Sequence, residues 1–208
     1  MEFYLGMAEN VVNLCLSDFC CFAFFSQKTP PLIFAIEYFL FTFAVGIIVD
    51  NMNFDIVEIE DYSGKMAHIY SLVMENEEES LLEQFFAENA EYKQEINEID
   101  ELLYGMGHIL GCQRNLFKHN EGALGDGVAA VRVGRLRLYC LYFDNTAVFF
   151  GSGGYKPPEI HAYQEDKKLN AKAQQMREIA RKLNKAIQNK DITIEDDGSL
   201  TINNFDYD

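Results

Sequence analysis

Between Val128 and Lys156 apolar side chains alternate with Arg132, Arg135 and Arg137, and then with Tyr139 and Tyr142. Such alternation, bounded by Gly, Asn and Asp, predicts antiparallel strands with one buried and one decorated face. The strands fall at 128–133, 136–143 and 147–150, with a looser one near 115–119. The last apolar run closes on Gly151-Ser152-Gly153-Gly154, which reads as a loop. Upstream, Phe54, Ile56 and Ile59 alternate with acids, Asp61 to Gly64 supply turn chemistry, and a second extended run covers 66–74. Together these predict a hairpin.

Helical spacing takes over after Ser80. Glu77, Glu78 and Glu79 put negative charge at a helix start, and Leu81, Leu82, Phe85 and Phe86 form its apolar stripe up to a break at Asn89 or Ala90. A second helix carries Ile96, Ile99, Leu103, Met106 and Leu110 inward and ends at Gly111. A closing helix over 169–189 has Met176, Ile179, Leu183 and Ile187 inside, with Lys172, Arg177, Arg181, Lys182 and Lys185 largely outside. The tail either pairs as a small hairpin around Asp197-Gly198 or stays mobile. The pattern as a whole is α+β.

Residues 1–51 do not match the rest. The stretch 31–49 is apolar with one charge, Glu37, at the lower end of the length a membrane-spanning helix needs. Three alternatives are open: translated upstream sequence with the true start at Met52, a membrane anchor, or an extra buried element. A signal peptide is disfavoured because the opening is acidic where a positive region is needed. The organisation is then an extension at 1–51, a domain at 52–190 and an acidic tail at 191–208, with a membrane as partner only if 31–49 is translated.

Charge changes this picture. The chain carries −16, yet residues 112–190 hold fourteen Lys or Arg against seven acids, while residues 52–111 hold two Lys against fifteen acids. The last eighteen residues hold six acids and no base, so the tail is suited to fold over the basic segment. Cys15, Cys20, Cys21, Cys112 and Cys140 form no CxxC and no metal-ligand spacing, and the four histidines are unclustered. The expectation is a reducing compartment, no metal and no cofactor.

The order of elements, with VRVGRLRLYCLYFD followed by VFFGSGGYK and PPEIHAYQED, resembles the RelE/ParE toxin superfamily. Lys156 and Pro157 after the last core strand are similar to its HigB-like, phage-derived branch. The resemblance implies an antiparallel helix pair and a C-terminal helix packed on a small, mostly antiparallel RelE-like sheet. It also implies a cytoplasmic, metal-independent endoribonuclease of a type II toxin–antitoxin system, cutting mRNA on the ribosome and neutralised by an antitoxin. Arg132 and Arg137 occupy its phosphate-contacting strand positions, Lys156 its post-strand base, and His161 or Tyr163 the position before the final helix. The alternative within the same resemblance is a non-catalytic binding module that inhibits a topoisomerase or only binds an antitoxin.

The residues have chemistry to match. Attack of a 2′-hydroxyl on its phosphate needs a base, cations for the growing charge and an acid for the leaving oxygen. His161 is the candidate imidazole for the proton transfers, and Arg135, Lys118 and Tyr139 are candidates for holding RNA by charge and stacking. Arg135 and Arg137 share a face of an ideal strand, whereas Arg132 and Arg137 do so only if Gly134 marks a bulge or turn. If Arg137 is a surface guanidinium, Arg137→Ala leaves the fold intact. The plain reading of each is structural: strand arginines are commonly solvated, Cys140 sits in a core-like strand, and Gly151 to Gly154 lack the Lys-Ser/Thr of a phosphate loop.

Overall fold

The first strand, β1 (Phe54–Glu58), pairs antiparallel with β2 (His68–Met74). Alternation sends Tyr70 and Leu72 to one side of the sheet and Ile69 to the other. These strands belong to a computed structural model of the chain that describes residues 53–119 and 127–203. The stretch 31–49 and the question of the start lie outside the described residues.

Helix α1 (Leu81–Glu88) begins where the sequence places it, at Ser80. The Ser80 N–H donates to Glu83 Oε2 at 2.7 Å, and the Glu83 N–H donates to Ser80 Oγ at 3.3 Å. This reciprocal box satisfies two of the donors a helix start leaves open. It also holds the Glu83 carboxyl below its usual range through those hydrogen bonds. Asn89 ends the helix, its side-chain amide donating to the Phe85 carbonyl at 2.8 Å. Helix α2 (Lys93–Gly105) buries Ile99 and Leu103 and then widens into a π-turn, Met106–Leu110, closed by Gly111.

Strands β3 (Phe117–Lys118), β4 (Ala129–Val133), β5 (Leu136–Phe143) and β6 (Ala147–Tyr155) form an antiparallel meander. β6 returns beside β2 and runs parallel to it, giving a six-stranded sheet ordered β1-β2-β6-β5-β4-β3. The architecture is therefore α+β with a mixed sheet. The chain between β2 and β6 passes through α1, α2 and strands β3 to β5, a connection long enough to let the two strands run parallel.

Helix α3 (Lys167–Asn189) covers one face of the sheet, packing Leu169, Ala173, Met176, Ile179 and Leu183 on Tyr70, Leu72, Ala130, Tyr139 and Phe149. A second core lies on the other face, where Phe85, Ile99, Leu103 and Met106 meet Ile69, Val131, Leu138, Val148 and Phe150. Leu81 joins the first core and Leu82 the second, so α1 seals both. Leu82 N–H donates to the buried Ser71 Oγ, which itself donates to the Phe150 carbonyl.

Three expectations are corrected. Gly151 to Gly154 are not a loop, because β6 continues to Tyr155. A Cβ at Gly153 would lie 1.8 Å from the Arg137 carbonyl oxygen, and one at Gly151 2.5 Å from Met176 Sδ. Glycine here marks close approach of strand and helix, not a turn. Leu110 is not inward but 41% exposed, since the wide π-turn delays the helical phase. The tail pairs as β7 (Ile192–Ile194) and β8 (Leu200–Ile202), but away from the arginines. It docks by the β5–β6 turn, with Tyr70 Oη donating to the Gly198 carbonyl at 3.1 Å and Ile192 buried. Gly198 sits so close to Thr146 that a Cβ would meet the Thr146 oxygen at 2.0 Å.

Candidate functional site

The β4–β5 hairpin turns at Gly134-Arg135, where Gly134 has φ 51°, a value that suits glycine. The two-residue turn makes Arg132 and Arg137 direct cross-strand partners. They therefore share a face, the one that α3 covers. Lys118 lies opposite Ala130, so the edge strand β3 brings it to that same face. Tyr139 follows on β5, and Tyr163 packs edge-on against it with ring centroids 6.3 Å apart. Lys156 leaves β6 beside the turn, its N–H donating to the Arg135 carbonyl at 2.9 Å. The structure thus places Lys118, Arg132, Arg137 and Tyr139 on one face, with Tyr163 packed on Tyr139 and Arg135 and Lys156 at the hairpin turn.

What they do there differs from the chemistry expected of them. Arg137 is 2% exposed, and its Nη1 donates to the carbonyls of Gly134 at 3.2 Å and Leu136 at 2.9 Å. The guanidinium braces its own hairpin turn. That removes it from the class of surface arginines and overturns the expectation that Arg137→Ala leaves the fold intact. Tyr139 and Tyr163 are core residues, 1% and 4% exposed. The Lys156 ammonium donates to the His161 carbonyl at 2.7 Å and so holds the loop that leads into α3. The N–H groups of His161 and Ala162 donate to the Glu165 carboxylate, which fixes the same loop. Arg132, Arg135, Lys118 and His161 are exposed.

A second cluster was not legible in the sequence. Two residues of β6, Gly151 and Ser152, stand opposite Tyr139, since Leu138 pairs with Gly153 and Cys140 with Phe150. The bulge aims Ser152 at α3, where its Oγ accepts from Lys172 Nζ at 2.8 Å. Lys172 also donates to both Glu88 oxygens at 2.8 Å. Lys172 is thus held in an ion pair with Glu88, and the hydroxyl it contacts belongs to a residue that is 2% exposed. The cluster ties β6, α3 and α1 together beside a cavity of about 230 Å³ lined by Glu88, Tyr92, Gly154, Asp166, Lys168 and Lys172.

The two described thiols, Cys112 and Cys140, are fully buried. Burial pushes Cys112 up to about 12 and raises Cys140 well above the ordinary thiol value. Among the described residues no group of three His, Cys, Asp or Glu side chains is arranged to hold a metal ion, and no helix is long and apolar enough to cross a membrane.

The sequence reading also missed the surface at the end of α2. Met66, Tyr104, Ile109 and Leu110 are 43%, 51%, 66% and 41% exposed. Gly105 and Gly107 inside a helical stretch were the available signal of an irregular turn.

No family model, no curated protein and no solved structure matches this chain.

Proposed function

We propose that the chain acts by binding a protein partner, as a non-catalytic module, and does not cut RNA. The observation that carries this reading is the inward use of Arg137, Tyr139 and Tyr163 on a sheet packed on both faces. A phosphate must reach a guanidinium to be stabilised by it, and this one is 2% exposed with its Nη1 donating to two backbone carbonyls. The partner's character follows from charge. Residues 52–111 supply the hairpin, α1 and α2 with fifteen acids against two lysines, a surface that favours basic proteins and repels polyanions.

A second reading keeps one observation in its favour. Arg132 and Arg137 are cross-strand partners near Lys156 and His161, in an order of hairpin, two helices, meander and helix similar to the RelE/ParE toxins. On that reading the chain is a cytoplasmic mRNA endonuclease, with the ribosome, an antitoxin and Arg135, Lys118 and Tyr139 on the RNA. One assay separates the two. The purified full chain, incubated with single-stranded RNA at low salt, is expected to leave it intact. Cleavage that disappears in Arg132→Ala overturns the binding reading and restores the nuclease.

A further inference from the structure

Five large apolar residues are exposed among the described residues; three of them, Tyr104, Ile109 and Leu110, lie along the end of α2 and its π-turn, and a fourth, Met66, lies on the loop seated there. The Met66 N–H donates to the Gly107 carbonyl at 2.8 Å, which seats the end of the β1–β2 loop on the π-turn. Tyr104 and His108 lie ring against ring with centroids 4.2 Å apart. The π-turn presents His108, Ile109 and Leu110 outward in succession, which a regular helix with an apolar stripe would not do. Soluble proteins seldom leave such a cluster uncovered unless something docks on it.

The patch is also stiff. A Cβ at Gly107 would lie 1.8 Å from the Tyr62 carbonyl oxygen, and one at Gly64 2.5 Å from His108 Nδ1. Loop and π-turn therefore interlock backbone to backbone, and a partner meets a surface already in shape.

The rim chooses the partner. Tyr62 Oη donates to Asp100, and its phenol is pushed above its usual value by burial, by that bond and by the nearby charges of Asp100 and Asp61. In the sequence around these residues the acids Glu60, Asp61, Asp100 and Glu101 outnumber the bases Lys65 and Arg114. A second copy docking by the same patch would bring the same acidic rim against this one, which like charges oppose. An anionic membrane surface is repelled for the same reason.

The geometry points to this patch as the docking site for a protein segment that carries apolar side chains flanked by Lys or Arg. The inference rests on the binding reading above and names its surface. Interface energy concentrates in a few buried apolar anchors, so Ile109 and Leu110 carry most of it, while the acids set attraction and salt dependence.

The test uses the full chain and two fluorescent model peptides, an amphipathic helix of Leu and Lys and its Leu and Glu counterpart, followed by anisotropy at low and high salt. The Leu/Lys peptide binds, more weakly as salt rises, and the Leu/Glu peptide does not. Ile109→Ser with Leu110→Ser weakens binding by about tenfold or more. Neutralising Glu77, Glu78 and Glu79 to Gln, away from the patch, changes it less than about threefold. Circular dichroism confirms the fold of each variant, and Ile109→Gln alone substitutes if the double variant is unstable. Undiminished binding in the serine variant, with loss in the Gln variant, overturns this patch and leaves the binding reading standing. Absence of Leu/Lys binding at both salts overturns the patch as well, and the RNA assay still decides cleavage independently. Self-association, or binding to neutral phosphatidylcholine vesicles, that the serine variant abolishes assigns the patch to another occupant and overturns the inference too.

Discussion

The two ends of this fold use side chains in opposite senses. At the β4–β5 hairpin, an arginine and two tyrosines with the chemistry of a site are turned into the structure, Arg137 bracing a turn and Tyr139 meeting Tyr163 in the core. At the end of α2, Leu110 and Ile109, with the chemistry of a core, are turned out to solvent. Residue type alone would assign function to the first end and packing to the second. Two local devices reverse this: a two-residue turn that gives a guanidinium carbonyls to hold, and a π-turn that shifts helical phase. A polar group buried with partners is structure, and an apolar group left in water invites a partner.

The largest expected effect breaks the inward end. Gly153→Ala sets a Cβ 1.8 Å from the Arg137 carbonyl oxygen, a backbone atom that cannot step aside. The expected loss is about 4 kcal/mol or more, measured by urea unfolding, or failure to yield folded protein. Gly134→Ala would be a milder probe of the same hairpin, because φ 51° strains any side chain there.

Ser80→Ala is expected to cost about 1 kcal/mol by removing the cap of α1. It has a pH signature as well. The folded Glu83 carboxyl lies below its reference value of 4.5 because Ser80 donates to it. Its contribution is therefore complete above the ordinary carboxyl range and is lost as pH falls through the depressed folded value. Ser80→Ala should flatten that part of the acid limb of the stability curve, and an unchanged limb would remove the box from the account.

The smallest effect sharpens the outward end. Ile109→Ser, at a position 66% exposed, should change stability by less than about 0.5 kcal/mol in the same urea measurement. A loss of several kcal/mol would make Ile109 a packed residue and remove the contrast.

How far the sequence reached is visible element by element. Alternation located β4 and β5, and Ser80, Asn89, Gly111 and Asp197-Gly198 marked termini and turns that the structure uses. Local patterns carry local structure. The run of β6 past Phe150 was hidden because glycine has no side chain to alternate, and its cause, the approach of Arg137 and Met176, lies far away in sequence. The parallel partnership of β2 with β6 joins residues almost eighty positions apart, and no local pattern states it. The gathering of Lys118, Arg132, Arg137 and Tyr139 on one face was legible from alternation once Gly134 was admitted as a turn. The burial of Arg137 and Tyr139 was not, since it depends on what packs across that face, α3 above all.

Equilibrium unfolding of Arg137→Ala beside Arg132→Ala tests the central claim most directly. The two residues are cross-strand partners of the same chemical type on the same face, and they differ in burial and in what Arg137 holds. The account predicts a loss of about 2–3 kcal/mol for Arg137→Ala, from two stranded carbonyls and a vacated core position. For Arg132→Ala it predicts a change within about 0.5 kcal/mol. Equal and negligible losses in both would mean that Arg137 is as exposed as Arg132, and would return the hairpin end to the chemistry its residues first suggest.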